Sequence, residues 1–190
     1  VIRTSDHGEM GLAHGGLRQK NFNFYEESLR VPLVYSNPRL FRTPRRSKAL
    51  VSHVDFLPTL ASLFDAPQSA RSAWQGRDYS SLVLRKNAAP VQNYVVFTYD
   101  DFQAGQSSGP YVPPPQHITS IRETRWKLAR YDDPNGKVRT EWEMYDLKTD
   151  PLETTNLARP GYSRTKAERA QLARLRRKLA RVQATRLKAS

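Results

Sequence analysis

The stretch Ser5-Asp6-His7-Gly8-Glu9-Met10-Gly11-Leu12-Ala13-His14-Gly15 carries the residue types best suited to chemistry. Asp6 offers a hard carboxylate oxygen and His7 an imidazole, a donor pair suited to a divalent cation. Adjacent residues at a strand end can turn toward one ion only if the backbone leaves the strand at once, and Gly8 permits that. A second imidazole follows at His14, and the cationic Lys20 stands beyond it. Taken alone, the same residues also fit a polar loop in which Asp6 caps a turn and both histidines are incidental.

Several elements must position this loop. Val1-Ile2 reads as the end of a strand, and open α/β sheets place ligands where a strand runs out into a Gly-rich loop. Phe22 to Arg30 is helix-like or irregular, and Pro32 stops any helix before it. Val31-Pro32-Leu33-Val34-Tyr35 suits a buried strand of a parallel sheet. Residues 37–48 form a basic surface loop, and Ala49 to Ser52 reads as a short strand. Asp55 can cap a helix with Pro58 in its first turn and Leu57, Leu60, Leu63 and Phe64 on one structural face.

Four further strands are expected at Asn93–Tyr99, His117–Glu123, Trp126–Tyr131 and Trp142–Leu147, with Asp133-Pro134-Asn135-Gly136 as a turn. Together they suggest a small antiparallel sheet. The Gly-, Ser- and Pro-rich residues 103–116 form either a rim over a substrate site or a surface crossing. Asp146, Asp150, Glu153 and Asn156 read as a turn whose side chains bond the local backbone, in preference to a second metal site. Ser163 to Ala189 reads as a helix with Leu172, Leu175, Leu179 and Val182 as a narrow apolar stripe.

The chain of 190 residues is long enough for a sizeable core, and no apolar run approaches the roughly 18 residues of a membrane span. With no Cys there is no disulfide framework. The net charge is +13, of which residues 160–190 hold +9, from ten Lys/Arg and one acid. This basic helix could meet nucleic acid or an anionic surface, or could be a solvated helix packed by its stripe. No aromatic interleaves its basic residues and no groove-reading motif is present, so nucleic acid is not expected as a partner.

Four blocks in order closely resemble the C-terminal part of the sulfatase family, within the alkaline-phosphatase-like superfamily. They are the Asp6-His7-Gly8 loop, Tyr25-Glu26-Glu27-Ser28-Leu29-Arg30-Val31-Pro32, Val54-Asp55-Phe56-Leu57-Pro58-Thr59-Leu60, and Met144-Tyr145-Asp146-Leu147 through Asn156-Leu157. The resemblance implies an α/β fold: the C-terminal part of an alkaline-phosphatase-like sandwich, a small antiparallel four-stranded subdomain and a C-terminal helix. The corresponding boundaries are 1–90, 91–158 and 159–190.

The resemblance also implies roles. Asp6 and His7 match the family's late metal-ligand pair, for a divalent ion that is usually calcium, although an imidazole also suits manganese or zinc. Lys20 matches the lysine that contacts the sulfate oxygens, one residue further from Tyr25 than the commonest family spacing, with Arg18 as its neighbour. His14 falls in the loop bordering the substrate. The formylglycine nucleophile arises from a Cys/Ser-x-Pro-x-Arg motif that this sequence does not contain: Ser36 has Pro38 but then Leu40, and Thr43-Pro44 is preceded by Arg42. The chain is therefore expected to be a C-terminal portion, inactive alone, of a hydrolase acting on a small-molecule or glycan sulfate ester. The alternatives are a phosphatase, phosphodiesterase or phosphonate monoester hydrolase of the same superfamily, or a non-catalytic module binding anionic polymers through its basic tail.

Overall fold

The computed structural model describes residues 1–20, 22–67, 69, 74–100 and 113–187. The expected loop at 103–116 lies outside them up to residue 112. The chain forms two compact units, one of Val1–His7 with Arg30–Val95 and one of Gly8–Leu29 with Val96–Ser190.

In the first unit, β1 (Ile2–Thr4) pairs with β2 (Leu33–Tyr35), Ile2 opposite Tyr35 and Thr4 opposite Leu33. The ladder is antiparallel, not the parallel one expected. Leu33 re-enters opposite Thr4, the end at which β1 left, so no crossover is needed. Val34 is half exposed, so the run 31–35 is not a fully buried strand.

Residues 49–52 form no strand, contrary to expectation. Their backbone groups are claimed by side chains instead. Ser52 N–H donates to Asp55 Oδ2 at 2.8 Å in a capping box that opens the 3-10 turn His53–Asp55, and Leu50 C=O accepts Gln92 Nε2 at 3.2 Å. Asp55, 1% exposed, does not cap helix α3 (Phe56–Leu63) through its side chain. Its carboxylate accepts from the Ser52 and Arg77 amides and from Gln92 Nε2, the last two at 2.7 Å, and so ties three segments together.

The inward edge of α3 also differs from the expected Leu57-Leu60-Leu63-Phe64 face. Pro58, Thr59 and Ala61 are buried, while Leu57 and Phe64 are 56% and 75% exposed. Polar pairing sets this rotation. Thr59 Oγ1 donates to Asp55 C=O at 2.7 Å and accepts Tyr79 N–H at 3.0 Å, so residues 55 and 59, one turn apart, face inward together. Gly76 passes so close to this junction that a Cβ there would stand 1.8 Å from Val54 C=O. Helix α4 (Ser80–Leu84) follows, and its Val83 C=O accepts Arg45 Nη2 at 3.0 Å.

The second unit holds β4 (His117–Glu123), β5 (Trp126–Asp132) and β6 (Glu141–Asp146), all antiparallel, with β3 (Tyr94–Asp100) on the β4 edge from Val96 onward. The expected small antiparallel sheet is present, in the order β3-β4-β5-β6. Asp133 makes the β5–β6 turn by accepting the amides of Asn135, Lys137 and Val138. Beyond β6, Asn156 accepts Met144 N–H and donates to Trp142 C=O, while Asp150 accepts the Thr154 and Thr155 amides. These bonds are those of a local turn.

Both faces of this sheet are covered. On one, Phe24 packs with Ile118, Ala129 and Tyr131. On the other lies α5 (Lys166–Arg186), whose Leu172, Leu175, Leu179 and Val182 are buried where the helix meets β4 and β5. Thr165 opens α5 with a capping box to Glu168.

Candidate functional site

Asp6 and His7 follow β1 after the single residue Ser5, where the chain leaves its ladder. Ser5 Oγ donates to His7 C=O at 2.7 Å and reaches Asp6 Oδ1 at 3.3 Å; His7 N–H donates to Asp6 Oδ1 at 3.0 Å. His53 Nε2 sits 2.8 Å from Ser5 C=O and braces the segment. These bonds bend the backbone so that both side chains turn the same way, and His7 Nε2 comes within 3.4 Å of Asp6 Oδ2.

That separation is one that two ligands of a single ion can adopt. The Asp6 carboxylate remains 82% exposed, and the His7 amide hydrogen bond holds its carboxyl below the usual carboxylate range, so it is charged at neutral pH. A hard anionic oxygen beside an imidazole fits a divalent cation. Among the described residues no group of three or more His, Cys, Asp or Glu converges as a metal site, so Asp6 and His7 make a two-donor set.

His14 and Lys20 belong to the second unit, on the loop 8–20. Gly8 opens it: its amide donates to Ser28 C=O at 2.8 Å, and a Cβ would stand 1.8 Å from Glu27 C=O, so only glycine fits. Glu9 closes the loop by accepting Gln19 N–H at 2.6 Å, and Met10 N–H donates to Gln19 C=O at 2.9 Å. The turn at α1 (Ala13–Gly16) holds His14 at a left-handed φ of 50°. Its ring stacks on Tyr25 with centroids 3.6 Å apart, and its Nε2 lies 3.3 Å from Glu27 Oε2. Lys20 sits half-buried in the following bend, where its C=O accepts Asn23 Nδ2 at 3.2 Å. The structure thus brings Asp6 and His7 together and, separately, seats His14 on Tyr25 and Glu27.

A buried ionic cluster anchors the segment after Lys20, and the sequence reading had not found it. Lys127 on β5 is 0% exposed, and its Nζ meets Phe24 C=O at 2.5 Å, Glu153 Oε1 at 2.7 Å and Glu26 Oε1 at 3.3 Å. The same ammonium lies 4.1 Å from the Phe24 ring centre. Glu26 also accepts Arg122 Nη2 at 2.9 Å, and its amide donates to Glu153 Oε2 at 2.6 Å. Burial opposes ionisation of Glu26, but the Arg122 and Lys127 contacts outweigh it and hold its carboxyl low. Burial wins at Glu153 and pushes its carboxyl up, despite Lys127.

Nearby, burial also pushes Glu143 up, even though it accepts Tyr131 Oη at 2.9 Å. One signal in the sequence pointed to this cluster. Lys127 shares a strand face with Ala129 and Tyr131, and a lysine on an apolar face requires carboxylates. Nothing local said which carboxylates they are.

Residues 14–185 match the family model described as N-sulphoglucosamine sulphohydrolase, C-terminal. Among curated relatives, a Delta 4,5-hexuronate-2-O-sulfatase of Bacteroides thetaiotaomicron is 30% identical over 179 residues, covering 90% of this chain and 33% of the relative. A choline-sulfatase of Rhizobium meliloti is 35% identical over 159 residues, covering 83% and 27%. A solved structure of a protein in complex with its substrate, D-glucosamine-2-N,6-O-disulfate, superposes with a TM-score of 0.67 at 26% identity, covering 96% of this chain and 33% of that one. A solved 2-O GAG sulfatase gives a TM-score of 0.71 at 26% identity, covering 97% and 36%. The chain spans about a third of the length of these relatives.

Proposed function

The chain belongs to the sulfatase family, as its C-terminal portion, and from that premise we propose that the whole protein hydrolyses sulfate monoesters. The observation that carries the reading is the Asp6–His7 pair at the end of β1, with its donor atoms 3.4 Å apart and its carboxylate ionised. In this reading residues 1–90 end the catalytic α/β domain, 91–158 form its small antiparallel subdomain and 159–190 its basic helix.

When bound, a divalent ion, calcium in the first instance, would neutralise sulfate oxygens, and a formylglycine outside this chain would supply the nucleophile. Asp6 and His7 would hold part of that ion's coordination shell. Lys20 donates to the sulfate oxygens and favours the charge that grows on the transferred group. His14 borders the ester. Glu27 and Tyr25 fix its ring orientation, and an imidazole held in this way can pass a proton to the leaving oxygen. Hydrolysis of a glycan or small-molecule sulfate ester follows, and the chain without its nucleophile does not turn over.

His7 also supports a second reading, a phosphatase, phosphodiesterase or phosphonate monoester hydrolase. Imidazole ligands suit manganese or zinc, and tetrahedral oxyanions look alike to such a site. Parallel kinetics of the full-length protein on sulfate, phosphate and phosphonate esters separate the two.

The test uses full-length variants with metal stoichiometry beside kinetics. Asp6→Ala should lower bound metal, with rate partly restored by excess metal. Lys20→Ala should leave metal content unchanged and lower kcat/KM by ~10²–10³, the scale for one lost group aimed at developing charge. An Asp6→Ala enzyme that keeps both metal and rate would sink the metal-site reading. Normal turnover by Lys20→Ala would move the role to Arg18.

A further inference from the structure

Charge is distributed unevenly around α5. At 3.6 residues per turn, Lys166, Arg177 and Arg181 point opposite the buried stripe of Leu172, Leu175, Leu179 and Val182, and span about 22 Å along the helix. Arg174 and Lys178 on one flank are neutralised by Glu123, with Arg174 Nη2 2.6 Å from its carboxylate. Among the described residues the other flank has no such partner. There Arg176 lies 4.4 Å above the Trp142 ring, Arg159 and Arg164 lie 5.7 and 6.0 Å from Tyr162, and Arg169 donates to Arg164 C=O.

Among the described residues, Lys166, Arg169, Arg176, Arg177 and Arg181 are all exposed and none makes an ion pair. The acid of the helix, Glu168, is spent on the Thr165 cap, Asp146 is held by Arg125, and Glu141 and Glu143 project from the other face of β6 than Trp142. Partial burial under its own flank, and then the Arg164 charge, push the Arg176 guanidinium down.

We propose that the outward face and the Trp142 flank of α5 form a docking surface for a sulfated glycan chain. Guanidinium forks match tetrahedral and planar oxyanions bidentately, and this surface is mostly arginine. The apolar stripe is already buried on the sheet, which leaves nothing to insert into a bilayer. Trp142 and Tyr162 are covered by guanidinium groups, so neither offers a free ring to a nucleic-acid base. The choice of a sulfated glycan over other polyanions rests on the proposed sulfatase function and on relatives named for sulfated sugars.

The test measures binding of the full-length protein to an immobilised, highly sulfated glucosamine–uronate polysaccharide from 50 to 300 mM salt. Its desulfated form, duplex DNA and anionic phospholipid vesicles run in parallel. Neutralising Arg169, Arg176, Arg177 and Arg181 to Gln should weaken binding about tenfold and flatten the salt dependence by several ion contacts. The pair Arg177→Gln and Arg181→Gln, at exposed sites without ion pairs, should give a smaller loss in the same direction. Neutralising Arg39, Arg42, Arg46 and Lys48 removes the same net charge from the other unit and should change affinity less than twofold.

Unchanged binding by the α5 variants, equal loss in the 39–48 control, or equal affinity for the desulfated polymer, DNA or vesicles would overturn the proposal. Hydrolysis of a small aryl sulfate should be the same in all variants. Its absence in the unmodified protein would refute the sulfatase function, while the binding result would still decide the surface.

Discussion

Replacing Lys127 by Met tests the buried cluster most directly. The methylene stem of Lys127 is apolar and Met fills nearly the same volume, so packing over Phe24 changes little. What disappears is the ammonium that meets Phe24 C=O, Glu153 and Glu26. Glu153, 3% exposed, loses its cation outright, whereas Glu26 keeps Arg122. Removing one partner of a buried pair costs about 3–5 kcal/mol, because a carboxylate is left without compensation in a site closed to water.

The Phe24 carbonyl adds about 1–3 kcal/mol if nothing else reaches it. A total near 4–8 kcal/mol is a large fraction of the stability of an ordinary domain, about 5–15 kcal/mol. The double variant Lys127→Met, Glu153→Gln should recover about half, since the neutral side-chain amide removes the stranded charge while its oxygen still accepts the Glu26 N–H. Urea unfolding followed by circular dichroism, with unchanged slope, gives the free energies. A loss below about 1 kcal/mol for Lys127→Met, or no recovery in the double variant, would refute the account of the cluster as a mutually dependent set.

Two other expectations follow from the described contacts. Asp55→Ala should destabilise by about 3 kcal/mol, read in the same unfolding assay, because it leaves the Arg77 amide and the Gln92 side-chain amide without their acceptor and removes the capping box with Ser52. For Glu123, burial opposes ionisation, but Arg174 and Lys178 outweigh it and hold the carboxyl low. Its stabilising part is therefore fully present above the unfolded carboxyl range and is lost as pH falls through the lower folded value. Glu123→Gln should cost about 1–2 kcal/mol at pH 7, and its stability should fall less than the parent's between pH 5 and pH 3.

The meander was legible because each strand carries its own alternation and its own turn chemistry, as Asp133 to Gly136 shows between β5 and β6. The family resemblance directed attention to Asp6 and His7, and the local geometry of the two follows from neighbours within a few residues. The α3 face was misread because apolar periodicity nominated Leu57 and Phe64, while hydrogen bonds among Asp55, Thr59 and Tyr79 decided which side turned in. The partners of the ionic cluster were not legible beyond the lysine on an apolar strand face, since Lys127, Glu26 and Glu153 stand 26 to 127 residues from one another and Glu153 takes a left-handed φ of 52° that no local motif announces.

The Glu26–Glu153 bond also bears on how the protein is made. The two residues are 127 positions apart, so Glu26 leaves the ribosome long before the amide it carries can find its acceptor. At about 5–20 residues per second, that interval is roughly 6–25 s, during which Phe22, Phe24 and Tyr25 have no sheet to cover them. Residues 8–29 are thus an early-born segment with a late-born partner, and contacts of such span slow folding. A holding chaperone that recognises short aromatic stretches would find its target here.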